Sequence, residues 1–154
     1  MTAVKRRTVP LGYSTATPYL VVNDAAEALD FYKRAFGAKE IMRIERNGRV
    51  GHAQIRIGNS RLMVSDEHPA TGVRGPQSIG GSPVRIFLYV PRVDTYVGRA
   101  VAIGAKLLEA VDDKLYGDRS GSLEDPFGHI WHIATHMEDI SADEMQQRAY
   151  AVAG

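Results

Sequence analysis

The stretch FGAK at residues 36–39 returns as IGAK at residues 103–106, an offset of 67, and Gly58-Asn59 is answered by Gly128-His129 at an offset of 70. Around these anchors both halves of the chain carry the same order of elements. In the first half TPYLVV (17–22) is a β-rich run, and Asp24 opens a helix with Glu27 three residues on, the spacing of a capping box. Ala28, Leu29, Tyr32, Ala35 and Phe36 recur at helical spacing, and Gly37 supplies the stop. The runs KEIMRIE (39–45), VGHAQIRI (50–57) and RLMVSD (61–66) read as strands, separated by the turn signals Asn47-Gly48 and Gly58-Asn59. In the second half VRIFLYV (84–90) is a strand, Asp94 caps a helix with Val97, Ala100 and Val101 inward, and Gly104 ends it. Strands at KLLEAV (106–111), SGSLED (120–125) and HIWHIAT (129–135) complete a second β-α-β-β-β order. The chain is an internal duplication, which restricts the fold to an α+β class with two tandem βαβββ units.

The organisation follows. Residues 1–14 form an N-terminal arm and 15–67 the first unit; 68–83, the Gly-, Pro- and Ser-rich HPATGVRGPQSIGGSP, form a connector. Residues 84–139 are the second unit and 140–154 a C-terminal helix and tail, with Ser141 and Glu144 spaced as a capping box for a helix from 142 to about 150.

Composition narrows the function classes. With 19 basic and 18 acidic residues the net charge is +1, so no field draws the chain to nucleic acid or to an anionic membrane, and the basic run Lys5-Arg6-Arg7 reads as a solvated arm. There is no cysteine, which excludes disulfides, thiol nucleophiles and thiolate metal sites and fits a reducing cytoplasm. The N-terminal MTAVKRRTVPLGYS has no apolar core of a signal peptide, and no apolar run approaches the roughly 20 residues that span a bilayer. No Ser-His-Asp order, P-loop or dinucleotide-binding glycine pattern is present.

A duplicated βαβββ unit of this size resembles the vicinal oxygen chelate superfamily, which includes glyoxalase I, extradiol dioxygenases, and fosfomycin and bleomycin resistance proteins. The resemblance covers roughly residues 15–139. It is carried by Val22-Asn23-Asp24, FYKRAFGA (31–38), VPRVD (90–94) and DPFGHIWHIATH (125–136). HAQIRIGNSRLMVSDE (52–67) with GDRSG (117–121) is similar to the PhnB-like group within it. The resemblance implies that each unit's strands curve into an open half-barrel with helices on the convex side, and that the protein pairs as a homodimer. Strand alternation then turns Ala53, Ile55 and Ile57 toward a helix and leaves His52, Gln54 and Arg56 on the concave side.

Metal-binding members of the superfamily hold Zn, Ni, Mn or Fe with His, Gln or Glu at the head of each unit's first strand and Glu or His on its last. Registered on the motifs here, those positions fall at Thr17, Leu62, Arg85 and His132. Only His132 is a ligand type, three protein ligands are the usual minimum for a catalytic divalent metal, and an arginine repels the cation. The resemblance therefore implies that no family metal is bound, and that methylglyoxal-glutathione isomerisation is undetectable. An unorthodox divalent site would need His52 with His132, with or without Gln54.

The histidines of GDRSGSLEDPFGHIWHIATHMED (117–139) divide by alternation. Ile130, His132, Ala134 and His136 share one face; His129, Trp131, Ile133 and Thr135 share the other. His132 faces the concave side, as a functional residue or a hydrogen-bonded structural one. His129 reads as turn chemistry, His136 as a solvated or salt-linked residue beside Glu138 and Asp139, and Trp131 as core or interface packing. Asp118 and Arg119 are an ion pair, or Arg119 clamps an anionic group. Tyr116 closes over the cavity mouth or covers apolar surface, and Tyr19 turns its hydroxyl to the concave side. Asp66-Glu67 are adjacent carboxylates that point apart, which argues against shared acid/base work.

Two functional classes remain open beside a ligand-free interaction scaffold. One is a binding module that takes a small organic molecule through Thr17, Tyr19, His52, Gln54, Arg85, Tyr116, Arg119 and His132. The other is a lyase, isomerase or oxygenase of the glyoxalase or dioxygenase type, with a non-standard metal set or with His132 or His52 as general base.

Overall fold

The computed structural model describes residues 6–153; Lys5 of the basic run, the rest of residues 1–5 and Gly154 lie outside the described residues. The chain divides into two compact units between Ser78 and Ile79, inside the segment read as the connector.

The first unit has the order β1 (Tyr19–Val22), α1 (Ala25–Phe36), β2 (Lys39–Arg46), β3 (Arg49–Ile57) and β4 (Ser60–Asp66). Its four-stranded sheet runs β1-β4-β3-β2, with β1 parallel to β4 and the rest antiparallel. Helix α1 begins where the sequence signals it: the Asp24 side chain accepts from the Glu27 N–H at 3.2 Å. Its buried residues include Ala28, Leu29, Tyr32, Ala35 and Phe36, and they pack against Leu20, Ala53, Ile55, Leu62 and Val64 of one sheet face. The β2–β3 turn uses Asn47 and Gly48 at φ of 53° and 74°, the left-handed pair that a two-residue hairpin demands.

The connector is not a featureless linker. It contains a 3-10 turn (Pro69–Thr71) and a short helix, α2 (Pro76–Ile79). Glu67 fastens it, accepting from Gly75 N–H at 2.7 Å and from the Ser78 hydroxyl. A Cβ at Gly75 would lie 2.6 Å from the Val21 carbonyl oxygen, so only glycine lets the segment come this close to β1.

The second unit repeats the plan with β5 (Arg85–Tyr89), α3 (Val93–Ala102), β6 (Lys106–Asp113), β7 (Asp118–Glu124) and β8 (Ile130–His136), followed by α4 (Ala142–Ala153). Its sheet order is β5-β8-β7-β6. Ser141 caps α4 as expected, Glu144 N–H donating to Ser141 Oγ at 3.1 Å, while the Glu144 carboxylate pairs with Arg148 rather than completing the box.

The start of α3 departs from the expectation. Arg92, not Asp94, holds the cap position and makes no side-chain cap bond. Thr135, at the end of β8, does the work instead: its Oγ1 accepts from Val93 N–H at 2.9 Å and donates to the Val90 carbonyl at 2.8 Å. Asp94 is thereby released into the first helical turn, where it meets Arg119. Val101 is 39% exposed rather than inward, because Val93, Val97 and Ala100 already fill the face that this ten-residue helix turns to the sheet.

Candidate functional site

Each sheet has a face covered by its helix and a face that is not. In the first unit, cross-strand register puts Tyr19, Met63 and Gln54 side by side on the uncovered face, with His52 two residues along β3. These side chains are joined. Tyr19 Oη lies 2.8 Å from His52 Nδ1, and Gln54 Nε2 lies 3.1 Å from His52 Nε2. The amide nitrogen can only donate, so His52 Nε2 accepts, its Nδ1–H donates to Tyr19 Oη, and the tyrosine proton is left to a ligand. Tyr19 also borders a cavity of about 620 Å³, walled by Val21, Val50, Ser65, His68 and Val73 and flanked by Arg46 and Arg49. That volume lies in the range of small-molecule sites. The far wall comes from the connector, where His68 and Val73 pair backbone to backbone at 2.7 and 3.1 Å.

In the second unit the uncovered face carries Arg85, Phe87 and Tyr89 from β5, and His132 opposite Phe87 in register. Arg85 Nη1 donates to His132 Nε2 at 3.1 Å, so the imidazole proton sits on Nδ1. Burial first, and then the Arg85 charge, hold the His132 pKa below its ordinary value, which keeps the ring neutral at pH 7. Phe87 stacks on His132, with centroids 5.7 Å apart and planes 4° from parallel.

At the other end of β5 the Tyr89 hydroxyl donates to Asp118 Oδ2 at 2.8 Å, and His136 Nδ1 meets Asp118 Oδ1 at 2.7 Å. His136 Nε2 reaches Asp139 at 2.7 Å, and the two carboxylates, Asp118 foremost, raise its pKa. Asp118 therefore does not pair with Arg119. Adjacent strand residues point to opposite faces, so Arg119 emerges on the helix side, where it donates to Asp94 at 2.9 and 3.0 Å and to Asp113 at 3.2 Å. Tyr116 Oη lies 3.3 Å from Ser120 Oγ and is half-buried, and Thr17 precedes β1, also half-buried.

Register corrects one position. Leu62 is buried, opposite Ile55 on the helix-covered face. The repeat aligns Leu20 with Leu88 and Val22 with Val90, so Tyr19 corresponds to Phe87; Tyr19 stands opposite Met63 as Phe87 stands opposite His132. The counterpart of His132 is Met63. The four positions at which the resemblance places a family metal therefore carry Thr17, Met63, Arg85 and His132: a hydroxyl, a thioether, a guanidinium and an imidazole. This set does not fit Zn, Ni, Mn or Fe, since one member is a permanent cation 3.1 Å from the only strong donor. Among the described residues no three His, Asp or Glu side chains are grouped to hold a metal ion. His52, the other histidine weighed for such a site, belongs to the first unit and has both ring nitrogens engaged by Tyr19 and Gln54.

Two carboxylates have structural roles that the sequence reading did not assign, the buried Asp125 and the half-buried Asp66. Asp125 Oδ1 accepts from the Phe127 and His129 N–H groups at 2.9 and 3.0 Å, and its Oδ2 from Trp131 Nε1 at 2.9 Å. The DPFGH turn and the fully buried Trp131 are thus fixed by one side chain, and His129 closes that turn. Asp66 accepts from Ala25 N–H and Val50 N–H, both at 2.7 Å, tying the start of α1 to β3 and β4.

Comparison with known proteins agrees with this architecture. The family model described as the Glyoxalase/Bleomycin resistance protein/Dioxygenase superfamily matches residues 13–133. An uncharacterised protein of Mycobacterium tuberculosis (strain H37Rv) is 42% identical over 134 residues, covering 84% of this chain and 79% of that protein. Among solved structures, TioX from Micromonospora sp. ML1 is 28% identical with a TM-score of 0.63, covering 80% of this chain and 99% of TioX. A gene product of Arabidopsis thaliana is 28% identical with a TM-score of 0.65, covering 79% of this chain and 98% of its own.

Proposed function

Because the chain belongs to the glyoxalase/bleomycin resistance protein/dioxygenase superfamily, we propose that it binds a small organic molecule on the uncovered faces of its sheets and does so without the divalent metal of the family's enzymes. One observation carries this reading: of the four chelate positions only His132 offers a strong donor, and its Nε2 lone pair accepts a hydrogen bond from Arg85. The cavity beside Tyr19 supplies what a binding site needs, apolar walls at Val21, Val50 and Val73 with polar groups at Tyr19, Ser65 and His68, and Tyr19 links it to His52 and Gln54. We place the protein in the PhnB-like group on its 52–67 and 117–121 motifs, and read it as a cytoplasmic homodimer whose partner is a small molecule rather than nucleic acid or membrane.

A second reading, a lyase, isomerase or oxygenase with a histidine general base, draws on the neutral state of His132 at pH 7. That base would first have to surrender Arg85, so binding is the better-supported function.

Thermal stabilisation across a library of polar aromatic and aliphatic metabolites tests the proposal, because a ligand that binds only the folded chain raises its melting temperature. At least one compound class is expected to stabilise the wild type, with a smaller shift in a Tyr19→Phe, His52→Ala variant for ligands of the first unit. A library without a single stabilising compound contradicts it.

A further inference from the structure

We infer that the uncovered face of the second unit is a binding site for planar aromatic carboxylates, with Arg85 as the anion receptor and Phe87, His132 and Tyr89 as the stacking floor. The inference rests on the small-molecule reading above and names the ligand class for one of its two sheets.

The floor is a product of strand alternation. Arg85, Phe87 and Tyr89 are every second residue of β5, an edge strand, so all three project from one face over roughly 13 Å at the usual rise per strand residue. Phe87 and Tyr89 are 46% and 59% exposed, with ring centroids 5.1 Å apart, and Phe87 lies parallel to His132. Exposed rings in such a row offer a flat apolar solute a surface that water covers poorly.

Charge decides which flat solute. Two of the acidic groups near the floor already have partners: Asp118 holds Tyr89 and His136, and Glu109 holds Lys114; a third, Glu124, lies across Ile130 from Arg85. The other arginines that touch this unit's strands or last helix are answered as well, Arg119 by Asp94 and Asp113, Arg148 by Glu138 and Glu144. Arg85 differs. Among the described residues no carboxylate lies within 4.0 Å of it, and the hydrogen-bond partner it does have is a neutral imidazole. One of its five N–H groups is used, and the remainder form a fork shaped for a carboxylate. A cation at one end of an aromatic floor, with the opposite end already acidic, selects a ring system carrying a single anionic group at the Arg85 end.

Isothermal titration calorimetry with 2-naphthoate, 2-naphthamide and acetate separates the contributions. We expect 2-naphthoate to bind the wild type, with the amide and acetate each weaker by about tenfold or more. Arg85→Gln should reduce naphthoate affinity to that of the amide, whereas Arg34→Gln, on the exposed side of α1, should leave it unchanged. Phe87→Ala should weaken naphthoate and amide alike. Equal affinity of acid and amide, or an unaltered Arg85→Gln variant, overturns the inference. So does the absence of naphthoate binding where other library compounds stabilise the protein, an outcome that leaves the general binding reading standing; if no compound of any class binds, both fall.

Discussion

His136 sits between Asp118, which is 3% exposed, and Asp139, which is fully exposed, and this arrangement has a pH signature. Its folded-state pKa is raised above the ordinary value of about 6.5, so the stabilisation it gives is complete below that pH and is lost as pH rises through the higher folded value. Denaturant melts of the wild type and His136→Gln should therefore diverge most at about pH 6 and converge at alkaline pH. A constant difference would show that the imidazole contributes by packing alone. Asp125 gives a larger effect at the same scale. Its removal leaves two backbone N–H groups and the indole N–H without their acceptor in a buried turn, and Asp125→Ala should cost about 3 kcal/mol, read as a shift in the urea midpoint at unchanged slope.

At the scale of elements, what the sequence discloses depends on how far apart the interacting residues lie. The Asp24–Glu27 and Ser141–Glu144 caps span three residues and are visible in the order of letters. The Asp66 bond to the start of α1 spans 41 residues and the Thr135 bond to the start of α3 spans 42, so no local pattern announces them. For the same reason Asp94 looked like a cap: it has the right identity near the right place, but β8 had already supplied the acceptor. Alternation within β3 separated the buried Ala53, Ile55 and Ile57 from His52, Gln54 and Arg56, whereas in β8 Ala134 is buried although it shares a face with His132. Cross-strand register could not be counted from a turn glycine, and a slip of one residue exchanges Met63 for Leu62 and one sheet face for the other. Asp66→Ala should destabilise the protein by about 2 kcal/mol and Thr135→Val by about 1 kcal/mol. Hydrogen exchange should quicken in the first turn of α1 for the former and of α3 for the latter.

For the molecule as a whole, the duplication made the fold readable, since two copies of one signal confirm each other, and the same repeat ties Tyr19 to Phe87 and Met63 to His132. Function was less readable. The residues that define the uncovered faces are ordinary polar and aromatic types, and their meaning comes from partners: among the described residues Arg85 has no carboxylate within 4.0 Å, Arg119 has two. The account predicts no turnover of glutathione hemithioacetal with or without added Zn, Ni, Mn or Fe. Its central claim, that the chelate positions no longer hold a metal, is tested most directly by metal content. Inductively coupled plasma mass spectrometry on untagged wild type and His132→Ala is expected to find no stoichiometric transition metal in either. About one equivalent per chain in the wild type, lost in His132→Ala, would contradict the account and restore a rebuilt metal centre.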